Sequence, residues 1–188
     1  MKISILLPYK ENFSPVYPGA VSLFVNDTTQ ISKYRKQISI YGNTEYKNIF
    51  KLNYKNIDLK KNLFQSQSKK YVEEFIKIEK QYPSNLIEVH NRPFYLNLLN
   101  NKLGKKTYAL FFHNDPLTMT GSKSIDDRKF LLKICYKIIF NSNWSKKRFL
   151  EGMDNKFVSS EKLIVVFQSS NKSVLDLKKK RKWITFVG

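Results

Sequence analysis

The sequence predicts an α/β fold: a mostly parallel sheet with helices on both faces. Three observations predict it. Short apolar segments such as Ile3–Leu7 alternate with longer stretches of helical spacing. The apolar segments are continuous rather than alternating in and out, as in strands covered on both faces. Helix punctuation falls between them, with Pro93 opening one helical stretch and Gly104 following its end.

The elements follow in order. Ile3–Leu7 is a buried strand that Pro8 stops. After a polar loop, Gly19 opens a helix from about Ala20 to Ser32, with Val21, Phe24, Val25 and Ile31 as its buried stripe. Gln37–Tyr41 and Ile49–Leu52 read as strands, with a turn signal at Gly42-Asn43. Leu63 to Gln81 carries helical spacing through Tyr71, Val72, Phe75 and Ile76. Leu86–Val89 is a strand, Pro93–Leu103 a helix, and Thr107–Phe112 a strand. Asn114–Ser124 is loop, and Asp126 to about Leu132 is helical. Tyr136–Phe140 is a strand, followed by Asn141-Ser142-Asn143, which is N-cap chemistry for a helix at Trp144–Glu151. Leu163–Phe167 is the next strand, and Trp183–Val187 a last one beyond a basic stretch at Lys178–Lys182. Residues 1–177 therefore form one domain.

Composition excludes several classes. The chain has 188 residues, and its 41% apolar and 14% aromatic content is that of a folded protein rather than a disordered one. Its net charge of +19 calls for an anionic partner or a heavily solvated lysine surface. The charge is overwhelmingly lysine, which argues against nucleic acid, where arginine is the usual reader of phosphate and base edges. The only cysteine, Cys135, cannot form an internal disulfide. No apolar run approaches the ~20 residues of a membrane span. A cytoplasmic protein is expected, with peripheral contact to an anionic membrane through Lys60-Lys61 and Lys69-Lys70 as a further possibility.

Chemistry concentrates at strand ends. Two histidines and one cysteine give no metal-ligand cluster, and a phosphate loop of the Walker type is absent. Each histidine directly follows an apolar strand, in Leu86-Ile-Glu-Val-His90 and Ala109-Leu-Phe-Phe-His113. In an open parallel sheet, ligands bind outside the carboxyl ends of the strands. His113 is the candidate catalytic residue, and His90, Asn91, Arg92 and Asn114 are candidate substrate-binding residues. The bland reading of each histidine is a strand-end turn residue with its hydrogen bonds satisfied. Gly19, at the start of the first helix, would let backbone amides approach an anion. Arg148 reads as a surface residue.

The ordered set resembles the N-terminal domain of glycosyltransferase family 4, which has the GT-B fold. The matching pieces are Lys2–Pro8, Gly19-Ala20, Leu86–His90, Ala109–His113, Ile139–Ser142, Leu163–Val166 and Ile184–Gly188. The resemblance implies a Rossmann-like half that binds the acceptor, facing a second half that binds a nucleotide sugar. It implies sugar transfer with retention and without a metal or other cofactor, to a cell-surface glycan or lipid-linked acceptor. His113 corresponds to a histidine that contacts the transferred sugar, and Gly19 to a glycine that approaches the donor phosphates. Pro18 stands where the family often has a second small residue. Residues 178–188 are then expected to be a linker and the first strand of a C-terminal domain that the sequence does not include. The competing expectation is a basic module without catalytic activity that binds nucleic acid or a membrane surface.

Overall fold

A computed structural model describes residues 1–59 and 66–168. Among these residues, seven parallel strands form one sheet in the order β3-β2-β1-β4-β5-β6-β7. They are β1 (Ile3–Leu6), β2 (Ile38–Gly42), β3 (Tyr54–Asn56), β4 (Leu86–His90), β5 (Thr107–Phe112), β6 (Cys135–Phe140) and β7 (Leu163–Val165). The helices are α1 (Ala20–Ile31), α2 (Gln67–Gln81), α3 (Phe94–Leu103), α4 (Ile125–Ile134) and α5 (Asn143–Leu150). The chain builds outward from β1 in one direction and then, from β4, in the other. The reversal between β1 and β4 creates a crevice at their carboxyl ends.

The pleat sends alternate side chains to opposite faces. Leu6, Tyr41, Ile87, Val89, Leu110 and Ile138 point to one face, where they pack with Phe75 of α2, Leu96 of α3, Leu131 of α4 and Phe149 of α5. Ile3, Ile5, Ile38 and Ile40 point to the other, beneath Val21 and Val25 of α1. The predicted α/β architecture with helices on both faces is the observed one.

Buried polar groups pin the layers together. Tyr71 sends its hydroxyl to the carbonyls of Leu7 and Tyr41, each 3.1 Å away, tying α2 to two strand ends. Glu79 on the same helix is buried, and accepts from the Ser4 hydroxyl and from both the amide and hydroxyl of Ser84. Arg128 of α4 is also buried and donates to the carbonyls of Phe149 and Glu151, closing the C-terminal end of α5. Cys135 lies in the core, where burial pushes its thiol up to about 12 and leaves it unreactive.

Several boundaries differ from the sequence reading. The third strand is Tyr54–Asn56, not Ile49–Leu52, and it pairs parallel with β2. Tyr54 also packs the strand inward, its ring stacking on Phe13 at 4.9 Å. Ile31 is 87% exposed because α1 ends there and rotates it off the sheet, while Ser22, Asn26 and Thr29 occupy the buried side. Helix α4 is longer than predicted. Its start is fixed by a capping box in which Ser124 and Asp127 exchange side-chain and backbone hydrogen bonds. β7 ends at Val165. Leu63, Phe64, the basic stretch, and the expected linker and strand of 178–188 lie outside the described residues.

Candidate functional site

The two histidines meet. β4 and β5 are adjacent and in register, with His90 opposite Phe111. The alternation of side chains puts Glu88, His90, Phe111 and His113 on the face covered by α1. His90 Nδ1 is 2.9 Å from His113 Nε2, and His90 Nε2 is 2.6 Å from Glu88 Oε1. Beyond His113, the Gln168 side-chain amide lies 2.6 Å from Nδ1. The rings are held by aromatic contact as well. His90 stacks on Phe111 at 4.6 Å, and Phe24 of α1 meets His113 edge-on at 5.0 Å.

His90 is completely buried. Its ring nitrogens face His113 and Glu88. Asn91 is buried too, with a left-handed backbone (φ 55°). Asn tolerates that conformation because its short side chain can bond locally. Here its Oδ1 accepts the His113 amide at 3.2 Å. Asn141, at the end of β6, donates to the His113 carbonyl at 2.8 Å. The backbone of His113 is therefore clamped from both neighbouring strands. Sequence reading counted Asn141 only as cap chemistry; its signal was its place directly after a strand, the same as that of the histidines.

His113 is half-buried. Burial, with His90 adding to it, lowers its pKa to about 3, so the ring is neutral at pH 7. Arg92 is partly buried and turns its guanidinium back onto the Asn91 carbonyl at 2.8 Å. Asn114 is exposed at the rim. Arg148 pairs with Asp115 at 3.1 Å and also contacts Glu151, which gives it a structural task on α5. The cavity of about 750 Å³ around Trp144, Lys147 and Arg148 is lined by neither histidine.

Gly19 caps α1 with an extended backbone (φ −71°, ψ 155°). The first turn of α1 has no acidic residue of its own. Glu11 supplies one from the preceding loop, its Oε1 accepting the Ser22 amide at 3.0 Å. A Cβ on residue 19 would lie 1.9 Å from that oxygen. The glycine thus makes room for a carboxylate of this chain on the amides where an anionic ligand is expected. Glu11 was not singled out in the sequence.

Across the switch point, at the carboxyl ends of β1, β2 and β3, a cavity of about 850 Å³ is lined by Tyr9, Lys10, Asn43, Tyr46, Asn56 and Asp58, among others. Lys10 also has a left-handed backbone (φ 62°). Among the described residues, no group of three or more His, Cys, Asp or Glu is gathered to hold a metal ion. No helix among them is long and apolar enough to cross a membrane.

No family model matches the chain, and no curated protein matches it. Solved structures do match. HepE of Anabaena, in complex with UDP and glucose, superposes with a TM-score of 0.58 at 15% identity, covering 90% of this chain and 45% of that one. A glycosyltransferase from Rickettsia africae gives 0.56 at 17% identity, over 90% of this chain and 44% of that one. UDP-N-acetylglucosamine 2-epimerase from Rickettsia bellii gives 0.52 at 11% identity, over 88% and 44%. This chain has the fold of one Rossmann-like half of a GT-B protein. It spans less than half the length of the structures it matches. On this GT-B half, His113, the Glu11-capped start of α1 and the cavity beside Tyr9 all lie along the strand-end edge of the sheet.

Proposed function

We propose that this chain is the N-terminal, acceptor-side half of a glycosyltransferase that uses a nucleotide-sugar donor and transfers with retention. The observation that carries the reading is His113. It stands at the carboxyl end of a central strand of a GT-B half, clamped by Asn91 and Asn141 and kept neutral by burial. The ordered strand-end pieces of the sequence resemble family 4. The similar structures support the donor class, since HepE is seen with UDP and glucose and with UDP-glucose.

The chemistry fits in three ways. A neutral imidazole fixed at both its backbone groups can orient a sugar hydroxyl without moving during the reaction. The cavity beside Tyr9 offers aromatic faces, amides and a carboxylate, the mixture that binds a polyol acceptor. The acceptor is a glycan or lipid-linked sugar. The α1 amides favour the departing diphosphate once Glu11 gives way. The half that would neutralise most of that diphosphate lies outside this chain. The reading assigns no metal or cofactor a role.

The test is transfer of label from a panel of nucleotide sugars by the longest product of the reading frame that holds this chain. Transfer that is lost in His113→Ala supports the reading. Transfer that His113→Ala leaves at the wild-type rate overturns the role of His113, and the absence of transfer with every donor overturns the function.

A further inference from the structure

We propose that Glu88 and His90 are positioning residues, which wire His113 into a single tautomer with Nδ1 as a hydrogen-bond acceptor. The inference rests on the reading above for its substrate, but its geometry stands alone. An ionised carboxylate can only accept, so the 2.6 Å contact to Glu88 requires the proton of His90 to sit on Nε2. In neutral His90 that leaves Nδ1 bare. The 2.9 Å contact between the rings then requires the proton of His113 to be on Nε2, donated to His90. His113 Nδ1 is left with a lone pair and no proton. Gln168 donates its amide to that lone pair at 2.6 Å, completing a chain in which every link has one donor and one acceptor.

Three features hold the chain in place. His90 has no exposed surface, so water does not compete for its nitrogens. Its ring is fixed by Phe111 on one face, with Phe24 beside it at 6.0 Å. Glu88 and His90 are two residues apart on one strand, which puts both on the same face in a fixed relation. A carboxylate that fixes an imidazole from behind is a general way to select its tautomer.

The consequence is specificity. An acceptor-only nitrogen takes a group that donates, such as a sugar hydroxyl, and repels a phosphate oxygen or a carboxylate. In a contact between His113 Nδ1 and a sugar hydroxyl, the hydroxyl therefore donates and the imidazole accepts. The position held by Gln168 is where the substrate hydroxyl enters.

Long-range ¹H–¹⁵N NMR of the 188-residue chain tests the wiring directly, because His90 and His113 are its only histidines. At pH 7 both rings are expected as the Nε2–H tautomer, with His113 Nδ1 at the shift of a bare nitrogen. A protonated His113 Nδ1, or averaged shifts from two tautomers, overturns the proposal. Glu88→Leu removes the anchor and is expected to give averaged shifts at His113. Glu88→Gln is expected to restore the single tautomer through its amide oxygen. An unchanged His113 spectrum in a folded Glu88→Leu chain overturns the role of Glu88. Should that variant lose its circular dichroism, the wild-type spectrum decides. None of these readouts needs sugar transfer, so a correctly wired chain without activity would sink the proposed function and leave the wiring intact.

Discussion

The Nδ1 of His90 lies 2.9 Å from the Nε2 of His113, and the two rings stack at 5.2 Å. Only His113 of the pair keeps exposed surface, since His90 is fully enclosed. The division sets separate expectations for the two. On the proposed transfer function, His113→Ala is expected to lower turnover by roughly 10²-fold or more, the usual scale for a positioned polar group at a reacting centre. The melting temperature should move by no more than about 4 °C, the shift of roughly 1 kcal/mol in a domain this size. Steady-state kinetics beside a thermal melt separate the two effects; a large melting shift with normal turnover in the folded fraction would make His113 structural.

Stability should rise with pH between about 3 and 6.5. His113 titrates near 6.5 when unfolded and at about 3 when folded, so between these values the unfolded chain binds the extra proton. The contribution is fully present above 6.5 and is lost as pH falls, at up to about 1.4 kcal/mol per pH unit. Urea denaturation at pH 5 and 7.5 measures it. Carboxylates titrate in part of the same range, so the comparison is with His113→Asn, which should flatten the slope. Equal slopes would show that the proton goes elsewhere.

Glu79 provides a test far from the crevice. Its buried carboxylate takes hydrogen bonds from Ser4 and twice from Ser84, with Lys106 Nζ 4.0 Å away. Glu79→Ala strands those donors and should cost about 3 kcal/mol, read as a fall in the urea midpoint at constant slope. A loss under about 0.5 kcal/mol would mean that the donors find water instead.

Gly121 is fixed by its surroundings as well as by its backbone. Its φ is +90°, and a Cβ there would sit 2.6 Å from the backbone nitrogen of Phe94. Gly121→Ala should destabilise by about 1–3 kcal/mol and displace the start of α3. That start carries Tyr95, whose hydroxyl accepts the Tyr9 amide at 2.9 Å beside the cavity of about 850 Å³. Altered protection of the Tyr9 amide in hydrogen exchange is the local readout, and wild-type protection with wild-type stability would count against it.

The sequence by itself determined the sheet and its strand ends. Ile3–Leu6, Leu86–His90, Thr107–Phe112 and Cys135–Phe140 are legible because a parallel strand covered on both faces must be apolar along its whole length. The placing of His113 and Gly19 followed from that, since both are defined by the ends of strongly patterned elements. Tyr54–Asn56 was missed because an edge strand of three residues has too short a pattern to read. What only the tertiary structure decided is partnership. Glu11 lies 11 residues before Ser22, Asn141 lies 28 residues after His113, and Gln168 lies 55 after it. Glu88 and His90 are only two residues apart in the sequence, but their task depends on β5 bringing His113 against them. Periodicity records which face a residue takes, because one element fixes it. It does not record which residue of another element stands opposite, because register and packing across the sheet fix that only when the chain folds.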